Sequence, residues 1–201
     1  MESSAPFRYF DREFQVEAVK ILPGQYYATS GEGAITTVLG SCVSTCLWDP
    51  VRRVAGMNHF MLPGDAATAA SPWAASARFG VYAMELLIND MIRLGADRTR
   101  LVAKVFGGAK LLAGFDKLDV GAKNCEFVLD FLRVEGIRLV AQDLRDVCPR
   151  KVHFFPATGK VQLKRLQVLP NDTVQRRERE YLSRLAHKAG GGDIEIFSAP
   201  K

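Results

Sequence analysis

The 201-residue chain is poor in the side chains that staple or ligate. It has four cysteines, Cys42, Cys46, Cys125 and Cys148, with no CxxC pair. No Cys or His pair follows Cys42 and Cys46 at zinc-finger spacing, which argues against a structural zinc site. No stretch approaches the ~18 uncharged apolar residues that a membrane-spanning helix needs. Met1 to Gln15 carries Arg8, Asp11, Arg12 and Glu13 and lacks an apolar core, so it does not read as a secretory signal. A cytoplasmic protein with reduced thiols and no membrane insertion is expected. The formal charge of +5 is spread along the chain, except where Arg176, Arg177 and Arg179 interleave with Glu178 and Glu180. No basic stripe is interleaved with aromatics, so nucleic acid is not the expected partner, and an acidic protein surface suits the charge better. Internal repeats are absent.

What is present is an ordinary globular balance, 48% hydrophobic and 24% charged. The first part reads as short strands between Gly/Pro turns: Val16 to Leu22, Gln25 to Thr29, Ala34 to Leu39, Cys42 to Trp48 and Arg53 to Leu62. That pattern predicts antiparallel pairing. Gly64 to Ala77 is small and aperiodic and reads as a loop. Phe79 to Leu94 has helical period and ends at Gly95, a C-cap glycine. A strand over Leu101 to Phe106 runs into Gly107-Gly108, which reads as a tight turn. Gly121 to Val134 predicts a second helix, Ile137 to Asp143 a strand, and Lys151 to Phe155 with Val161 to Leu166 a hairpin. A charged third helix follows from Asp172 or Thr173 to Lys188, then Gly190-Gly191-Gly192 and a last strand at Ile194 to Phe197. The order predicts an α+β or layered α/β fold. The division expected is an extension over 1–14, one domain over 15–170, and a charged tail over 171–201.

The chemistry-bearing segment is Thr36-Thr37-Val38-Leu39-Gly40-Ser41-Cys42. A strand running into Gly-Ser and then cysteine puts the sulfur at a bend where backbone N–H groups can hold an oxyanion. A thiol needs a base to become a nucleophile. His59 lies on a strand that the hairpin about Pro50 returns alongside Cys42, whereas His153 lies on a later strand and His187 in the charged tail. Thr36, Asn58 and Asn124 can each supply the group that orients an imidazole. The plainer reading is that cysteine and histidine in strands serve the core, and Cys46, Cys125 and Cys148 are read that way.

The ordered motifs resemble the CheD family of chemoreceptor glutamine deamidases. They are Thr36 through Cys42 with Leu47-Trp48-Asp49-Pro50, then Gly56 through Pro63, Arg78-Phe79-Gly80 and Ala103 through Ala109. Gly121 to Asn124, Glu135-Gly136-Ile137, Asp143 and Thr158-Gly159-Lys160 follow. The resemblance spans about residues 15–166. It implies a layered β-sandwich flanked by helices, like the deamidase domain of the cytotoxic necrotizing factors. It implies a Cys–His–Thr site matching Cys42, His59 and Thr36, with Thr37 adjacent to the last. It implies no metal or organic cofactor. The implied partners are chemoreceptors (methyl-accepting chemotaxis proteins), with a CheC-type phosphatase as a partner in some family members and a methylesterase-like side activity. The implied substrate is a glutamine on a receptor helix, which Trp73 could contact. One departure stands out: the family often has Gly-Gly shortly after the aspartate matched by Asp143, where this chain reads Leu144-Arg145-Asp146. Two other readings stay open. A non-enzymatic receptor adaptor would release no ammonia, and a protease or transglutaminase-like enzyme would cut the receptor or join it to an amine.

Overall fold

The computed structural model describes residues 7–63, 72–110, 119–166 and 173–189, with the side chains of 72–76 and 186–189 set aside. Two five-stranded sheets form the body. One has the order β1 (Phe7–Asp11), β2 (Val16–Lys20), β4 (Ala34–Leu39), β9 (Arg150–Phe155) and β10 (Lys160–Arg165). The other has the order β3 (Tyr26–Thr29), β6 (Val54–Asn58), β5 (Val43–Asp49), β7 (Val102–Gly107) and β8 (Arg138–Leu144). Helices α1 (Pro72–Arg93) and α2 (Val120–Val134) cover the second sheet, and α3 (Thr173–Ala189) follows the last strand. The expected layered β-sandwich flanked by helices, an α+β arrangement, is what the chain forms.

Two apolar clusters set the layers. Val19, Ile21, Ile35, Leu39, Cys46, Met57, Phe106, Val152 and Phe154 come from both sheets and fill the space between them. Val43, Leu47, Val54, Phe60 and Val105 lie on the opposite faces of their strands and pack against Met84, Leu87, Ile88 and Met91 of α1 and Phe127, Val128 and Phe131 of α2. The alternation follows from side chains pointing to opposite faces at successive strand positions. Because both faces of the second sheet are covered, β5 and β6 are buried almost throughout.

Several expectations need correction. Pairing among the first strands is not antiparallel throughout: β2 pairs with β4 in parallel, because β3 between them lies in the other sheet; β7 and β8, joined through α2, also pair in parallel. The stretch read as a loop up to Ala77 is helical from Pro72, where a proline at the first turn loses no hydrogen bond and the alanines that follow favour helix. The expected extension contains β1, which pairs with β2 along the sheet edge. The strand expected at Ile194 to Phe197 and the side chains of Trp73 and His187 lie outside the described residues.

Candidate active site

The hairpin of β5 and β6 turns at Asp49, whose carboxylate accepts from the Val51 and Arg52 amides at 2.9 and 3.1 Å and from the Asp97 amide at 2.9 Å. The register runs Asp49 opposite Val54 to Cys46 opposite Met57, and continues in the Val43–Phe60 bridge. Cys42 therefore lies one step beyond Val43, and His59 one step before Phe60. The two share the inter-sheet face as diagonal neighbours. The Gln25 carbonyl accepts from the His59 amide at 2.9 Å, and the Gly24 amide donates to the His59 carbonyl at 2.7 Å. Those bonds fix the histidine backbone.

The imidazole is positioned by a threonine. Thr37 Oγ1 lies 2.7 Å from His59 Nδ1 and donates its own proton to the Ile21 carbonyl at 2.8 Å. A carbonyl can only accept, so the hydroxyl proton is committed there. Oγ1 must then accept from Nδ1–H. This leaves the lone pair on Nε2, which is buried without a hydrogen-bond partner among the described residues. Burial pulls the His59 pKa down to about 3, so the ring is neutral at physiological pH.

Thr36, the expected partner, is not the residue that meets His59. Its hydroxyl is buried on the other side of the strand, where it meets the Tyr9 phenol. Strand parity gives the reason. Ile35 and Leu39 belong to the inter-sheet core, and Thr37 shares their side of β4 while Thr36 faces away. The apolar residues at 35 and 39 were the signal that would have chosen Thr37.

The bend before the thiol is held from behind. The Ala109 amide donates to the Gly40 carbonyl at 2.7 Å, Asn124 Nδ2 to the Ser41 carbonyl at 2.8 Å, and the Gly108 amide to the Cys42 carbonyl at 2.8 Å. Asn124 also accepts from the Leu62 amide at 2.8 Å, tying the nucleophile segment to the residues after His59. Gly107 and Gly108 let this backing approach. Both have positive φ, and a Cβ at Gly107 would sit 2.2 Å from the Cys42 carbonyl oxygen. Asn58, another candidate orienter, is spent elsewhere: its side-chain oxygen accepts from the Thr45 amide at 2.9 Å. His153 faces Asp11, 3.5 Å away, on the first sheet.

With the carbonyls turned back, the Gly40, Ser41 and Cys42 amides point the same way, forming an anion-binding concavity. They hold the carboxylate of Glu178 from α3. Gly40 and Cys42 donate to Oε1 at 2.9 and 3.1 Å, and the Ser41 amide and hydroxyl donate to Oε2 at 2.9 and 2.7 Å. Burial, and then the nearby Glu178 carboxylate, push the Cys42 thiol well above its ordinary pKa. The pair at rest is thus a protonated thiol and a neutral imidazole. A cavity of about 180 Å³ opens beside His59 and Thr37, bounded by Lys20, Val174 and Arg177. Its volume admits water.

Glu178 was not among the residues that sequence reasoning selected. Its signal is a charge inside an apolar stripe. Val174, Glu178, Tyr181 and Leu185 recur at helical spacing, and the last three are buried.

The departure after Asp143 also has a structural meaning. Arg145 and Asp146 adopt φ of 68° and 77°, so this chain keeps a glycine-like backbone where the resemblance led one to expect Gly-Gly. The Arg145 amide donates to the Gly107 carbonyl and the Lys110 amide to the Asp146 carbonyl, both at 2.8 Å. The loop braces the segment that backs the thiol.

Among the described residues no group of three or more His, Cys, Asp or Glu side chains could hold a metal ion, and no helix is long and apolar enough to cross a membrane. Comparison with known proteins places the chain among relatives. The profile of the CheD family, described as CheD chemotactic sensory transduction, matches residues 61–165. A protein of Herminiimonas arsenicoxydans named probable chemoreceptor glutamine deamidase CheD is 56% identical, covering 94% of each chain. A like-named protein of Janthinobacterium sp. (strain Marseille) is 55% identical with the same coverage. One of Shewanella oneidensis, named probable chemoreceptor glutamine deamidase CheD 1, is 52% identical over 96% of this chain and 93% of its own.

Proposed function

We propose that this chain, which belongs to the CheD family, is a protein-glutamine deamidase that hydrolyses glutamine side chains of cytoplasmic chemoreceptor segments to glutamate. Cys42 is the nucleophile, His59 its base, and Thr37 the residue that holds the imidazole in its productive tautomer. The observation that carries the reading is the carboxylate of Glu178 on the Gly40, Ser41 and Cys42 amides, next to the thiol. A glutamate carboxylate is the product group of the reaction, and amides that hold it can also hold the oxyanion that precedes it.

In this reading a receptor glutamine places its amide oxygen where Glu178 Oε1 now sits. His59 Nε2 accepts the proton of Cys42 Sγ as sulfur bonds to the amide carbon. The oxyanion is met by the Gly40 and Cys42 amides. His59 returns the proton to the departing nitrogen, and ammonia leaves a thioester. Water, deprotonated by the same Nε2, cleaves the thioester to glutamate and restores the thiol. Each step uses side chains and amides of this chain together with water.

The test is ammonia release from a purified receptor cytoplasmic domain by the wild type and by Cys42→Ala. Release by the wild type alone supports the reading. Receptor that is cut, or joined to an amine, supports the protease or transglutaminase alternatives. Binding of receptor without ammonia by a folded wild type supports the adaptor.

A further inference from the structure

We propose that α3 is an intramolecular occupant of the active site, a helix of this chain seated where a substrate helix docks, with Glu178 in the place of the glutamate product. The inference rests on the deamidase reading above and adds what the site recognises and what closes it.

Glu178 is 1% exposed, and among the described residues no Lys, Arg or His pairs with it in a salt bridge. A carboxylate withdrawn from water without a countercharge is costly unless its oxygens are fully hydrogen-bonded. Here three consecutive amides and the Ser41 hydroxyl supply that. The rest of the seat is built for a helix. Tyr181, three residues on, lies over Gly24, where an added Cβ would come within 2.7 Å of its ring. Leu185, seven residues on, is buried in the inter-sheet cluster. Arg176, Arg179 and Glu180 on the outer face are exposed. The seat therefore fits an amphipathic helix with a carboxamide at one position and large apolar side chains three and seven residues later.

The rim also shows what such a helix should carry. Lys20 and Arg177 line the same cavity beside His59 and Glu178, and the pKa of Lys20 is lowered by burial, and then by the charges of Arg177 and Lys151. Arg177, immediately before Glu178, thus brings a like charge to a basic rim. A partner helix with an acidic residue just before its target glutamine would meet that rim better and displace α3. While α3 is seated the buried thiol faces a carboxylate, which helps to keep it protonated, and the departure of α3 removes that carboxylate.

One consequence is self-deamidation of the E178Q variant. The amide oxygen of the introduced glutamine takes the Gly40 and Cys42 amides; its NH₂ faces Ser41, whose hydroxyl can rotate to accept from it while the Ser41 amide loses its acceptor. Cys42 sulfur bonds to the side-chain carbonyl carbon as the C–N bond breaks, ammonia leaves with the proton carried by His59, and water hydrolyses the thioester. The net change is glutamine plus water to glutamate plus ammonia, which regenerates the native Glu178.

The experiment is peptide mass spectrometry across residue 178 in E178Q and in E178Q/Cys42→Ala, with receptor turnover measured beside it for wild type, E178A and R177E. Conversion of the introduced glutamine to glutamate only where Cys42 is present supports the inference. So does a receptor kcat/KM for E178A raised about tenfold or more, the reciprocal of the fraction of molecules with an open site, with R177E moving it down. Persistence of the introduced amide in an enzyme that turns over receptor overturns it, as does a kcat/KM for E178A equal to that of the wild type. Failure of wild type and E178A alike to release ammonia from receptor overturns the deamidase reading itself, and the inference with it.

Discussion

Replacing Thr37 by valine removes one oxygen at nearly constant volume, and that oxygen serves two buried groups. Its loss leaves the His59 Nδ1–H without an acceptor and the Ile21 carbonyl without a donor. An unpaired buried polar group costs about 1–3 kcal/mol, so with two of them Thr37→Val should lose about 2–6 kcal/mol of stability by urea unfolding. The catalytic loss has a separate origin. Without an acceptor at Nδ1 the ring is no longer held with its lone pair on Nε2, and an orienting hydrogen bond of about 1.4–2.8 kcal/mol corresponds to a kcat lower by about 10- to 100-fold. KM for receptor should change little, because Thr37 acts through His59. Thr37→Ser restores the acceptor and should recover most of kcat. Thr36→Val is the contrast. Its hydroxyl is buried and meets the Tyr9 phenol rather than His59, so valine there should cost no more than about 1.5 kcal/mol, with activity retained. Ammonia release from receptor domain, with unfolding run in parallel, reads both effects. Loss of activity in Thr36→Val with Thr37→Val fully active would refute the reasoning.

Asp49 sets the turn that returns His59 to Cys42. Burial alone would raise its pKa, but the Asp97, Arg52 and Val51 amides and Arg100 outweigh that and pull it to about 2. A depressed carboxylate contributes stability above its unfolded pKa of about 3.9 and loses it as pH falls through the folded value, so wild-type stability should drop between about pH 4 and 2. Asp49→Asn should be less stable at pH 7 by about 2 kcal/mol and nearly free of that acid dependence; urea midpoints at pH 7, 4 and 3 decide. Gly107→Ala sets a Cβ against the Cys42 carbonyl and should cost more than ~2 kcal/mol with activity lost, read by thermal unfolding. Arg145→Gly should relieve a left-handed residue costing about 1–2 kcal/mol, offset by about 0.5–1 kcal/mol of chain entropy, for a small net gain in urea midpoint. Its exposed contact to Glu126, at 3.8 Å, adds little against this.

Much of this architecture was legible from local rules. Glycine and proline turns bounded β4, β5 and β6, and Gly95 marked the end of α1, because these residues act where they stand. The placing of Cys42 and His59 on neighbouring strands was legible because a hairpin ties sequence distance to spatial distance. What local rules missed was set by packing across layers. Parallel pairing of β2 with β4 depends on β3 leaving for the other sheet. The helical start at Pro72 was hidden by an alanine-rich stretch that carries no amphipathic period. Choosing Thr36 over Thr37 followed a counted spacing, where the parity of Ile35 and Leu39 carried the information. Glu178 lies more than 130 residues from the amides it meets, and nothing near it in the chain names that destination.

The most direct test of the central claim is site-resolved mass spectrometry of a receptor cytoplasmic domain incubated with the wild type and with a folded Cys42→Ala variant. The account predicts that particular receptor glutamines gain the mass of an NH₂-to-OH exchange with the wild type alone, the receptor chain staying intact. Receptor glutamines left unchanged by the wild type, or converted equally by Cys42→Ala, would contradict it.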